Sequence, residues 1–446
     1  MKRWLLAAIP LPALAHGFGQ RFDLPLPLWM FMAGAGATVA VTFLLLARQR
    51  DMRPRAPDQA VTVLGRIPLA DALATALRLA VLALYLLVIG AGLFGAQNPF
   101  KNIAPAMVWA VWWVGMAFVS ALLGDLWALV NPLDTIYRWT LGERPGKLAW
   151  PAWAGVWPAA LLFFAFVNME LNWEGSERPA SLAAAMLAYS CLTWSGMYLF
   201  GRRTWLAHGE VFAVVFGLLA RFAPNCVQQG AWRLRPFGAG LLLEAPLGWS
   251  HVVLVMLMLA SVSFDGLLET QAWLDVQDAV ALPPAWLRAA ALCALPALFL
   301  LAYLGVCRAI AWCGGGGATT ATTAGWYVLT LVPIAIAYHF AHYLSFLAMA
   351  GQYLIPLASD PLNLGWDLFG TRFYFIRLGI VDARTVWYVS LFAIIAGHVA
   401  AVWLGHQTAL RQFGERASRS QLPMLALMVA YTLLSLWIIA QPIVNG

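Results

Sequence analysis

Tyr338-His339-Phe340-Ala341-His342-Tyr343 lies inside an otherwise apolar run from about Trp326 to Met349. A run of that length crosses a bilayer, since roughly 20 apolar residues at about 1.5 Å each span the hydrocarbon core. On a helix, two histidines three positions apart share a face, with Cβ atoms about 5–6 Å apart. Ionisable side chains at such depth are costly; they ordinarily face the bundle interior and mark a pathway or a site. The plainer reading is two neutral imidazoles hydrogen-bonded to neighbouring helices, and the stretch by itself leaves both open.

Composition sets the class. Of 446 residues, 62% are hydrophobic and 11% charged, against about a quarter charged in soluble domains. The chain is therefore expected to be an all-α polytopic membrane bundle. Its 23 tryptophans suit interfacial belts. A net charge of +7 fits an arginine excess on the inner membrane face and requires no nucleic-acid partner. Cys191, Cys226, Cys293, Cys307 and Cys313 show no paired metal-ligand spacing, so free thiols are expected.

In chain order, Met1–Ala15 has the features of a secretory signal, with Lys2, Arg3, an apolar stretch and an Ala13-Leu14-Ala15 cleavage pattern. Cleavage would leave His16 at the new N-terminus, where amine and imidazole together form a bidentate metal ligand. Uncleaved, His16 would sit in an exposed turn. Residues 16–446 are expected to form one transmembrane domain. Spans are predicted near Leu28–Ala47, Ala72–Gly95, Ala106–Val130, a stretch ending at Asn168-Met169-Glu170, Ser181–Phe200, Trp249–Glu269, Ala289–Trp312, the histidine run, Thr385–His406 and Leu425–Ala440. Arginines cluster in alternate loops, which predicts ten spans with both termini outside. Residues 210–222 are apolar but too short to cross, which predicts a re-entrant or interfacial helix. The outer loop 352–384 is long enough to act as a lid.

This topology gives the polar residues a depth. His339 and His342 fall in the outer half of their span, His398 near the middle of the next, and Asp265 toward the outer end of the span from Trp249. If the four converge, three imidazoles and a carboxylate form a set for a divalent transition metal, Zn²⁺ foremost and copper as the alternative. Asp265 would then be a ligand or the general base. His251 and His406 lie at inner ends, and Asp125 reads as a helix-end carboxylate. H-E-x-x-H, G-x-S-x-G and Walker patterns do not occur, which withdraws support from the commonest protease, hydrolase-elbow and nucleotide readings.

Six segments carry a family resemblance: HGFGQRFDLPLPLWMF from His16, NPFKNIAPAMVWAVWW from Asn98, WALVNP from Trp127, FDGL from Phe264, YHFAHYL from Tyr338 and GHVAAVWLGHQTAL from Gly397. They resemble the bacterial membrane proteins labelled fenitrothion hydrolase, across nearly the whole chain. That resemblance implies a multi-pass protein of the bacterial inner membrane that hydrolyses an aryl phosphotriester bond; it carries over no catalytic residues. The candidate partners are an apolar organophosphorus-like small molecule arriving from the membrane or periplasm and the lipid bilayer, with a partner subunit left open by the sequence. A metal could polarise the phosphoryl oxygen and lower the pKa of bound water. Two other classes use the same histidines. One is a metal-ion transporter or metal-handling assembly protein; the other is a haem-binding electron carrier with His342 and His398 as axial ligands.

Overall fold

In hydrocarbon no water satisfies backbone N–H and C=O groups, so an apolar run that crosses must close its hydrogen bonds on itself as helix. The computed structural model follows that rule throughout its apolar runs; the residues described below are 22–48, 62–65, 70–228, 231–377 and 379–444. The signal-like segment 1–15 and His16 lie outside them.

Among the described residues nine helical stretches are long and apolar enough to cross a membrane, and the protein is an all-α polytopic bundle. The helices used below are α1 (Leu28–Arg48), α2 (Ala70–Phe94), α3 (Met116–Leu123), α4 (Trp157–Asn172), α5 (Pro179–Phe200), α6 (Val211–Ala220), α7 (Trp249–Leu268), α8 (Pro284–Cys313), α9 (Val332–Ser359), α10 (Ala383–Phe413) and α11 (Leu422–Ile443). α9, α10 and α7 form the buried centre, while few residues of α2 and α8 are buried.

Two expected spans are built differently from the sequence expectation. The stretch Ala106–Val130 is not one continuous helix. It opens as a π-helix over Ala106–Gly115, continues into α3 and breaks at Gly124, whose φ of 124° a side-chain-bearing residue rarely adopts. A short helix Leu126–Val130 follows, capped by Asp125, whose carboxylate accepts from Ala128 N at 3.0 Å. The histidine run likewise passes through a 3₁₀ turn at Val328–Leu331 before α9 begins.

The short apolar segment 210–222 is packed inside the bundle. In α6 every residue except Ala213 and Gly217 is in the core. Its N-cap is Glu210, fully buried, whose carboxylate accepts from Phe212 N at 3.1 Å and Ala213 N at 2.6 Å. Tyr189 donates to it as well, as do Trp127 Nε1 and Asn131 Nδ2, each at 3.4 Å. The WALVNP motif thus serves the architecture, because its Trp and Asn hold the carboxylate that caps α6.

A small sheet also has no counterpart in the sequence expectation. β1 (Thr62–Gly65), β2 (Asn225–Gln228) and β3 (Ala231–Leu234) lie in the antiparallel order β1-β3-β2, with Asn225 opposite Leu234 and Thr62 also opposite Leu234. Beside the end of α5, Arg202 bonds Asp134 at 2.6 Å and also pairs with Glu143, which holds the Glu143 carboxyl below the usual range. At the other end of the bundle Phe22 N donates to Ile443 O at 2.9 Å, and Phe22 forms a parallel bridge with Val444.

Candidate functional site

Asp265 sits three residues from the end of α7, between Phe264, buried against Trp273 with ring centroids 5.6 Å apart, and Gly266. Gly266 is required by close approach. A Cβ there would lie 2.8 Å from both Ile438 Cγ2 and the Tyr338 hydroxyl. Its absence lets α7 reach α9 and α11, and that approach delivers the Asp265 carboxylate to α9.

On α9 two consecutive side chains grip that carboxylate. His342 Nε2 lies 2.8 Å from Asp265 Oδ2 and the Tyr343 hydroxyl donates to the same oxygen at 2.7 Å. The His342 side chain is 4% exposed and that of Asp265 19%. The difference has a physical cause: Asp265 faces a cavity. Its walls come from six elements, with Trp113 from the π-helix, Phe118 from α3, Glu170 from α4, Val215 and Leu219 from α6, Met258 and Val262 from α7 beside Asp265 itself, and His339 and Tyr343 from α9. The centre of a water molecule has about 40 Å³ in which to move there, room for about three waters. Trp113, Phe118, Phe163, Val167, Met258 and Val262 make the lining predominantly apolar.

Glu170 is the second carboxylate of this cavity, although in the sequence it marks only the end of a span. Its polar neighbours are Asp265, the Trp113 indole and the Tyr343 hydroxyl; the indole N–H closes no hydrogen bond of good geometry among the described residues. His339 enters the cavity from α9. Its ring reaches the Val114 backbone carbonyl of the π-helix and packs edge-on against Trp113, Phe118 and Tyr343 with centroids 5.8, 5.3 and 4.7 Å away. Its Nε2 is buried with no hydrogen-bond partner among the described residues.

The four residues expected to share a metal are only partly gathered. Asp265 and His342 are in contact, and His339 shares the cavity with Asp265. His398 does not line it. Its Nδ1 lies 2.8 Å from Ile394 O on its own helix, and its ring faces Tyr431, 5.9 Å away. Tyr431 in turn bonds Ser263 at 2.6 Å. No group of three or more His, Cys, Asp or Glu among the described residues stands in position to hold a metal ion. With His342 Nε2 taken by Asp265 and His398 turned away, the arrangement does not fit a three-histidine centre. The described residues of the outer loop contribute nothing to the cavity lining; they are tied instead to the end of α9 through Ser359–Thr371 at 2.7 Å and Gln352 Nε2 to the Arg377 carbonyl at 3.1 Å.

Two residues central to the cluster give little signal in the sequence. Tyr343 adjoins the histidines but carries no charge to mark it, and Glu170 stands near a span end where carboxylates are common. Its one signal is Asn168 two residues before it, a second polar residue on an apolar helix. Compared with known family models, with curated proteins and with solved structures, the chain matches none.

Proposed function

We propose that this protein is a membrane carrier that binds a small cation, the proton being the simplest, at the Asp265 cluster. The observation behind this is that carboxylates from two different helices, Asp265 and Glu170, line one small cavity together with an imidazole, His339, and with His342 directly behind Asp265. Repulsion between two carboxylates in a low-dielectric interior is relieved by one positive charge between them. The cavity has space for that charge and a few waters, and α6, ending in the bundle, closes its floor with Val215 and Leu219. Membrane-embedded carboxylate and histidine groups of this kind serve proton and ion pathways.

The test is proton uptake by proteoliposomes carrying an internal pH dye under an imposed membrane potential. Wild-type protein should take up protons, and Asp265→Asn should lower the rate at least tenfold. Equal rates for the two would sink the carrier reading.

A second reading is favoured by the apolar lining. An Asp265–His342 pair beside a cavity walled by Trp113, Phe118 and Met258 suits general-base attack by water on an apolar ester, the chemistry that the family resemblance implies. At its present volume the cavity holds waters and no aryl phosphotriester, so the lining would have to open. Turnover of a chromogenic aryl phosphotriester by purified protein, abolished in Asp265→Asn, would favour this reading over the carrier.

A further inference from the structure

His342 separates two cavities. On one side its Nε2 meets Asp265, which faces the cavity described above. On the other lies a smaller cavity bounded by Gly266, Glu269, Ala341, His342, Ser345, Ile438 and Ile439. The centre of a water molecule has about 10 Å³ there, space for about one water. The imidazole spans the wall between them. Its Nδ1 would be 3.6 Å from a Cβ on Gly266, a residue of the second cavity, while Nε2 is committed to the first. Glu269 ends α7 one turn beyond Asp265, and places a carboxylate in the otherwise mainly apolar wall of the second cavity.

We propose that this second cavity is the outer vestibule of the site, a narrow entry through which water and the small cation reach His342 and Asp265, with Glu269 at its mouth. The proposal rests on the carrier reading for what passes through, but not for its geometry. Three features support it. Asp265 and Glu269 stand one helical turn apart at the end of α7 that the arginine pattern places outside. A carboxylate at the mouth raises the local concentration of cations. Gly266 lines the cavity without putting a side chain into it, and a Cβ there would strike Ile438 and Tyr338.

The experiment uses full-length protein in which the five cysteines are replaced and Ser345 is changed to Cys. Ser345 borders the vestibule and is buried. Labelling by the small cationic thiol reagent methanethiosulfonate ethylammonium is followed by mass spectrometry in right-side-out and inverted vesicles, with free cysteine trapped in the lumen. Labelling should be at least tenfold faster from the outer side. Ile438→Trp, which fills the vestibule, should slow it at least tenfold, and Glu269→Gln should slow the cationic reagent more than a neutral one of similar size. Ala341→Cys is the second reporter should Ser345→Cys fail to fold. Faster labelling from the inner side, absence of labelling at both positions, or indifference to Ile438→Trp would overturn the vestibule. These readouts need no transport. A wild-type protein without Asp265-dependent proton uptake would remove the carrier reading and leave the vestibule to stand or fall on labelling.

Discussion

At the scale of the residue, Asp265 holds the cluster together because one oxygen serves two donors from α9. Asparagine can still offer an oxygen there, whereas alanine leaves a buried imidazole N–H and a phenol without that partner. A buried polar group left unsatisfied costs about 1–3 kcal/mol. Asp265→Ala should therefore lower the thermal unfolding midpoint in detergent clearly more than Asp265→Asn, although both remove the charge. Equal midpoints would mean that the carboxylate is not the partner that His342 and Tyr343 depend on. The residues of this cluster are legible in unequal measure. Asp265, His339 and His342 announce themselves because an ionisable group in an apolar run is expensive and must be accounted for. Sequence supplies their depth but not their bearing around the helix axis. For that reason His398, at a suitable depth on α10, is expected in the same site and instead faces Tyr431.

At the scale of the element, long spans are read from apolar length, and the structure keeps nearly all of them. The π-helix at Ala106–Gly115 leaves no trace in composition, because its altered hydrogen-bond ladder changes which face a residue occupies without changing which residues are present. The three-strand sheet escapes a sequence reading because each strand has four residues and lies among arginines that fit an inner loop equally well. Close helix packing is more predictable from small residues, and Gly397 shows why. A Cβ there would meet the Pro333 carbonyl at 2.7 Å and overlap Ala337 Cβ, so α9 and α10 touch backbone to backbone at this point. Further along the same helix, Gly405 has nothing within 4 Å of the same position. Gly397→Ala should destabilise by about 1–3 kcal/mol through overpacking. Gly405→Ala should be neutral or stabilising by about 0.5–1 kcal/mol, since alanine favours helix. Denaturant titration of the two variants side by side checks this; equal effects would refute the close contact.

At the scale of the molecule, the hydrogen bond from Phe22 N to Ile443 O fixes a parity. Phe22 precedes α1 and Ile443 ends α11, so the two ends of the described bundle lie on one membrane face. Nine crossings between them would place them on opposite faces, and the number must therefore be even. The tenth crossing is α4, which at 16 residues falls short of the usual length; at about 1.5 Å per residue it spans roughly 24 Å of a core about 30 Å thick. A short span is tolerated where the bilayer thins or neighbouring helices cover its ends, and α4 packs inside the bundle with Phe163, Phe166 and Val167 buried. With ten crossings, the arginine-rich loops share one face, as the positive-inside rule requires, and Glu170 and Asp265 both come to the outer side. That placement is what brings the two carboxylates to one cavity. A reporter fused after Gly446 should be active only when outside the cytoplasm, and a second inserted beside Glu174 should agree with it. One inserted beside Arg144 should behave oppositely. Agreement between the Arg144 and Glu174 reporters would mean that α4 does not cross, and would place the two carboxylates on a path that this topology does not provide.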